Sequence, residues 1–233
     1  MNELNYLEGM SSSLGPRYYT LNVALSVFRH THGRSIVQSG CSPLPGAHDN
    51  TYLVKIICKT LKKNKNIKYH IFDENVKYDS YNYSAPLAQS VIRDTLRSDQ
   101  YDRGFVYETE DNTQSLKEFK DRVDLLILNE NNYPTKELIK KAGIKENYLK
   151  ALEILNAFED KDLRRYSDII NPSQERQLEQ YMNIKRNLHH NSIVLLEGAD
   201  LPGGGQTRLV AKQLAEDGFI CLLNSKQSVW IKR

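Results

Sequence analysis

The chain has 233 residues, 39% of them apolar and 26% charged, a balance that suits one globular α/β domain, or one domain with an insert, and favours it over a disordered chain. Its 32 basic and 29 acidic side chains leave a net charge of only +3 with no long one-signed block, so nucleic acid is not expected as the main partner. No apolar stretch approaches the roughly 20 residues that span a bilayer, the N-terminus shows no signal-peptide pattern, and Cys41, Cys58 and Cys221 are widely spaced. Reduced thiols and a cytoplasmic protein without a membrane partner are therefore expected.

Residues 1–19 read as a tail. "YTLNVALSVFRHTHG" then places Leu21, Leu25 and Phe28 at helical spacing, with Gly33 as the stop. "SIVQSGC" is a short β run. "NTYLVKIICKTLKK" is helical, with Leu53, Ile56, Ile57 and Leu61 on one face. "IKYHIFDEN" reads as a strand, "PLAQSVIRDTLRS" as a helix, "RGFVYETEDN" as a strand and "TQSLKEFKD" as a short helix. "VDLLILNE" is the most apolar strand, of the kind buried on both faces of a parallel sheet.

A Lys- and Glu-rich helical segment over about 135–171 interrupts the alternation, with Leu149, Leu152, Leu155 and Phe158 forming a face that serves either a lid or a dimerisation arm. "NPSQERQLEQYMNIKRNL" predicts a helix with Asn171 as N-cap and Pro172 at its first position. "SIVLLEG" is the next strand, preceded by His189 and His190, which are expected to be structural. "QTRLVAKQLAEDG" is a helix stopped by Gly218, and "FICLLNSKQSVWIKR" gives two strands joined by a turn.

Strands alternating with helices predict an α/β fold with a doubly wound, mostly parallel, seven-stranded sheet whose last strand is antiparallel. Residues 20–233 form that domain. Ligands of such sheets bind beyond the carboxyl ends of the strands, where the strand order reverses. The candidates for chemistry are therefore the residues at the strand ends: Gln38, Gly40 and Cys41; Asp73 and Glu74; Asp111 and Asn112; Asn129; and Glu197 with Asp200.

With "QSGCSPLPG", "NNYP…NPSQERQL" and "ADLPGGGQTRLV" at those ends, the sequence resembles the class I S-adenosylmethionine-dependent methyltransferases, bacterial small-molecule type, over about residues 20–233 apart from 135–171. The resemblance implies a Rossmann-like methyltransferase fold and S-adenosylmethionine as cofactor. It implies that Gln38, Gly40, Cys41, Asp73, Asp111 and Asn112 hold the donor, with Asp73 at the family's ribose-binding acid and Asp111–Asn112 at its polar pair near the adenine. It places the loop of residues 198–205 beside a small-molecule or sugar-like acceptor, with Glu197, Asp200 and Asn129 as the catalytic candidates.

A carboxylate there suits a general base. A divalent metal, which some relatives hold with Asp after strand 4 and Asp-Asn after strand 5, finds Asn129 and Glu197–Gly198 instead. Gln38 stands where many relatives carry Glu. These departures keep open the alternative of a catalytically inactive methyltransferase-like binding or assembly protein. A nucleotide-binding oxidoreductase is disfavoured, because no G-x-G-x-x-G follows the first strand.

Overall fold

The protein is described from a computed structural model, which describes residues 16–40, 56–57, 66–72, 105–108, 112–129, 160–197, 199, 205, 207–225 and 227–233. The first helix, α1 (Pro16–His30), opens on a proline and closes on Arg29 and His30, with the Arg29 cation set against the negative end of the helix. Its predicted stripe is buried, with Leu21, Leu25 and Phe28 no more than 2% exposed. Gly33 follows because a Cβ there would lie 2.4 Å from the Phe28 ring. Ile56 and Ile57 are helical and fully packed against the same side of the sheet.

The remaining elements are β1 (Ser35–Ser39), β2 (Lys68–Phe72), β3 (Phe105–Glu108), α2 (Asn112–Glu118), β4 (Val123–Leu128), α3 (Asp160–Ile184), β5 (Leu188–Glu197), α4 (Arg208–Glu216), β6 (Phe219–Asn224) and β7 (Gln227–Lys232). The seven strands form one sheet in the order β3-β2-β1-β4-β5-β7-β6. β1 pairs in parallel with both β2 and β4, so the order reverses beside it. β7 runs antiparallel between β5 and β6. This is the doubly wound sheet with an antiparallel last strand that the alternation predicts.

Strand alternation sorts the core into two layers. Ile36, Tyr69, Ile71, Leu125, Ile127, Leu195 and Val229 face α1. Val37, Phe72, Leu126, Leu128, Val194 and Leu196 face Leu116 of α2, Tyr181 and Ile184 of α3, and Val210 and Leu214 of α4. β4 is buried at every residue, and each such leucine contributes about 1.5–3 kcal/mol.

Three boundaries differ from the sequence expectation. α1 begins at Pro16, inside the segment 1–19 expected as a tail. α3 runs through Asn171 and Pro172, so Asn171 is not its N-cap and Pro172 is interior. Both residues are exposed, so the interior proline sits on the solvent side of the helix. β5 begins at Leu188, so His189 and His190 belong to the strand instead of preceding it. A bulge accommodates them. While β4 advances from Val123 to Leu125, its partner advances from Leu188 to Ile193, with Asn191 in the left-handed region at φ 70°.

The bulge wraps Asp124 at the amino edge of the sheet. One carboxylate oxygen accepts from the backbone N–H groups of Arg34 at 2.7 Å and Ser35 at 3.0 Å, and the other lies 2.8 Å from His189 Nε2. Burial alone would raise the Asp124 pKa. The Arg34 N–H, the His189 ring, the Ser35 N–H and the Arg122 guanidinium outweigh it and hold the carboxyl below the usual carboxylate range. At the same edge, Tyr181 donates to Asp217 at 2.7 Å, tying α3 to the end of α4. Gly218 ends that helix with φ 83°.

Candidate active site at the carboxyl edge of the sheet

The chain leaves β1 through a glycine held in an uncommon conformation. Gly40 has φ 82°, a region that disfavours any residue with a Cβ. Its N–H donates to the Phe72 carbonyl at 2.9 Å, and the Asn129 N–H donates to the Ser39 carbonyl at 2.9 Å. The parallel ladders on both sides of β1 thus continue past the strand ends and fix the start of the turn. Beneath it, the fully buried Gln38 donates through Nε2 to the Gly40 carbonyl at 2.9 Å. The Tyr69 hydroxyl donates to Gln38 Oε1.

Further along the edge the strand ends carry a buried polar row. Leu128 pairs with Leu196, so Asn129 and Glu197 follow at matching positions, and Glu197 pairs directly with Gln227 at the start of β7. Asn129 is 2% exposed, Glu197 6% and Gln227 1%. By alternation with Ile127, Leu195 and Val229, all three lie on the α1 side of the sheet, as Gln38 does with Ile36. A buried carboxylate needs a donor, and Gln227 Nε2 donates to Glu197 Oε2. Thr20, fully buried near the N-terminus of α1, belongs to the layer over this face.

On the opposite face of the sheet, the middle of α3 meets the segment between β5 and α4. Gln174 donates through Nε2 to the carbonyl of Gly205, which has φ 51° in the glycine-rich segment between β5 and α4. Helix and loop are thereby joined above Leu128 and Leu196.

No family sequence model matches the chain, and no curated protein sequence does. Solved structures do. CalS11, a TDP-rhamnose 3'-O-methyltransferase of calicheamicin biosynthesis, shares 11% identity at a TM-score of 0.56 over 99% of this chain and 87% of its own. PaMTH1, a methyltransferase of Podospora anserina solved with S-adenosylhomocysteine bound, shares 12% identity at 0.52 over 100% and 88%. A methyltransferase of Geobacter sulfurreducens shares 9% at 0.52 over 99% and 88%. The fold is the Rossmann-like methyltransferase fold. Identities this low speak for the fold alone.

Within the methyltransferase fold the site residues expected from sequence distribute as follows. Gln38 and Gly40 meet at the β1 exit, and Asn129 and Glu197 stand side by side at the ends of β4 and β5. Asn112 is the first residue of α2, four residues beyond the end of β3. Cys41, Asp73, Asp111 and Asp200 lie outside the described residues, as do Glu74, His48 and Tyr133. Among the described residues, no group of three or more His, Cys, Asp or Glu side chains is placed to hold a metal ion, and no helix is long and apolar enough to cross a membrane.

Sequence reasoning passed over Gln227 and Tyr69, and gave Gln174, which lies in the "NPSQERQL" stretch, no role of its own. Gln227 had a signal: an antiparallel last strand starts at the edge where the parallel strands end, so its first residue joins their row. Tyr69 and Gln174 act through the tertiary contacts just described, and no local pattern announces those.

Proposed function

We propose that the chain is an S-adenosylmethionine-dependent methyltransferase that transfers a methyl group to an oxygen of a small-molecule or sugar-like acceptor. The carrying observation is the β1 exit at the strand-order reversal, where Gly40 turns with φ 82° on a buried Gln38 clamp within the Rossmann-like methyltransferase fold. A cradle without a Cβ suits close approach of the amino-acid end of the donor. The similarity to CalS11 and PaMTH1 supports the reading through the fold they share with this chain.

The residues divide by strand. Gln38, Gly40, Cys41, Asp73, Asp111 and Asn112 would hold the donor, with Asp73 accepting from the ribose hydroxyls. Asn129, Glu197 and Asp200 would face the acceptor, Glu197 as the base that takes the hydroxyl proton. The bound donor supplies a methyl group already activated on a sulfonium. What remains for the protein is to align the acceptor oxygen and exclude water, which suits a site of few charged groups.

Calorimetric titration with S-adenosylmethionine and S-adenosylhomocysteine tests the reading. Micromolar binding that is lost in Asp73→Ala is the expected result. Absence of binding at millimolar donor would reject it in favour of a methyltransferase-like binding protein without activity.

A further inference from the structure

The amino edge of the sheet, opposite the candidate site, gathers exposed cations where the strands begin. Lys68 opens β2, Arg34 precedes β1, Arg122 precedes β4 and Arg186 lies in the turn before β5. Lys117 and Lys120 stand at and just beyond the end of α2. All six residues are exposed. β2, β1, β4 and β5 are consecutive in the sheet, and at a spacing of about 4.8 Å per strand their starts make a line of about 15 Å. Hydrogen bonds fix that line. The Lys68 N–H donates to the Arg34 carbonyl at 2.7 Å. The Arg34 N–H and the Arg122 guanidinium share the Asp124 carboxylate. Arg186 donates to the Lys117 carbonyl at 2.7 Å, and Asn187 beside it donates to the carbonyls of Phe119 and Asp121.

The acids of this edge are engaged already. Asp121 pairs with Lys68 at 3.6 Å and Asp124 with Arg122 at 3.2 Å, while the Glu118 carboxylate accepts from Gln114. Among the described residues no ion pair takes Arg34, Lys117, Lys120 or Arg186. The chain's net charge of +3 gives no sign of this surplus, because it averages over the whole surface. We propose that the line is a binding surface for the phosphate backbone of a single-stranded nucleic acid. Guanidinium forks match phosphate oxygens and lysines add point charges. A line of this length meets about four phosphates at the 3.4 Å rise of one strand. Contacts to phosphate position a strand without reading its bases, so the surface is indifferent to sequence. A protein partner is the poorer fit, because the core of such an interface is apolar. The exposed large apolar side chains of the described residues, Tyr19, Val23, Met182, Ile220 and Leu222, all lie outside the starts of β2, β1, β4 and β5. The surface is at the opposite edge from Gly40 and Glu197, so a bound strand leaves the carboxyl edge open and the proposal does not depend on the methyltransferase reading.

The test titrates the full chain into a fluorescently labelled oligothymidylate and reads anisotropy. The wild type is expected to bind, with affinity falling about fiftyfold between about 50 and 200 mM salt, as release of counterions from about four phosphates requires. Two double variants locate the surface. Arg34→Gln with Lys120→Gln removes two cations of the line whose side chains make no hydrogen bond or ion pair among the described residues, so its thermal midpoint stays near wild type. Its affinity at the lower salt should fall at least about tenfold, with a shallower salt slope. Arg208→Gln with Lys212→Gln removes the same charge from the exposed side of α4 and should bind as the wild type does. The proposal is overturned if the wild type does not bind oligothymidylate at the lower salt, if the Arg34 and Lys120 variant binds as tightly as the wild type, or if the α4 variant loses as much. It is also overturned if polyglutamate or phosphatidylserine vesicles compete equally well, which would assign the line to an acidic protein or to a membrane. Competition between oligothymidylate and S-adenosylhomocysteine would contradict the placement at the amino edge. Failure of S-adenosylhomocysteine to bind at all strikes the methyltransferase reading and leaves this one standing.

Discussion

Gln38 donates its amide hydrogen to the carbonyl of Gly40 two residues on, at 2.9 Å, while its own oxygen accepts from the Tyr69 hydroxyl. An ionised glutamate cannot reproduce this, because it has no hydrogen to give and would face the Gly40 carbonyl with a second negative oxygen. The amide is thus matched to the turn it supports. Gln38→Glu should destabilise the fold by about 1–3 kcal/mol at neutral pH, the cost of a buried group left unsatisfied. Its buried carboxyl would titrate higher in the folded state than in the unfolded chain, so stability is retained below about pH 4.3 and lost as pH rises. Urea midpoints of the variant and wild type from pH 4 to 8 check this. A constant difference across that range would show that the amide hydrogen is not what matters.

Gly40→Ala tests the turn itself. Its φ of 82° costs a residue with a Cβ on the order of 1–2 kcal/mol. The expected outcome is a modest loss of stability with a larger loss of affinity for S-adenosylhomocysteine, since the Gly40 turn is what the donor would touch. An unchanged dissociation constant would remove Gly40 from the donor site.

Asp124 fastens the opposite edge, accepting from Arg34, Ser35 and His189. Its pKa is depressed in the folded protein. The stabilisation is therefore present above the unfolded carboxylate value, about pH 3.9, and is lost as pH falls through the lower folded value. Asp124→Asn keeps the shape but loses the charge, and should cost about 1.5–3 kcal/mol at pH 7. Denaturant unfolding of both proteins at pH 7 and pH 3 should show the difference narrowing in acid. Donor affinity should hold, because the residue lies at the edge away from the site.

Much of this arrangement was legible in the residues. The Leu21, Leu25 and Phe28 stripe, the continuous apolar run of β4 and the strand-end positions of Gln38, Gly40, Asn129 and Glu197 follow from periodicity and from where parallel strands end. Other features depend on contacts that no local pattern carries. Asn171–Pro172 has the chemistry of a helix start, yet the helix passes through it because the buried face from Ser173 onward fixes its course while the proline sits in solvent. The His189–Ser192 bulge exists to reach Asp124, whose side chain is 65 residues away in sequence from His189. Gln227 meets Glu197 only because β7 inserts between β5 and β6.

His70 offers a pH test within the second core layer. Its ring packs edge-on against Phe119 at 5.2 Å, and its buried Nε2 has no hydrogen-bond partner. Burial lowers its pKa, Lys68 lowers it further, and Asp121 opposes them without prevailing. The unfolded chain therefore takes up a proton at about pH 6.5 that the folded chain resists. Stability is present above that value and falls as pH drops toward the folded value. His70→Leu should match or exceed wild-type stability at pH 5.5 and lose part of the slope between pH 7.5 and 5.5 in urea midpoints. An identical slope would mean that other groups carry it.

Glu197→Gln separates the chemical role of the acid from its structural one. The carboxylate is 6% exposed and accepts from Gln227 Nε2, a bond that an amide oxygen can also accept. The substitution therefore preserves the pairing of β5 with β7 at the edge and leaves the donor side, at β1, β2 and β3, untouched. What it removes is the ability to take a proton. If Glu197 is the base for the acceptor hydroxyl, turnover on an accepted substrate should fall by about 10²–10⁴ while S-adenosylmethionine affinity and the thermal midpoint stay near wild type. The remaining rate should no longer rise with pH through the range where the carboxyl ionises. A variant that keeps full turnover would leave Glu197 as the buried partner of Gln227 and move the search for the base to Asp200. A variant that loses stability instead would show that the charge, and not merely an oxygen, is needed beneath α1 to hold the polar row together.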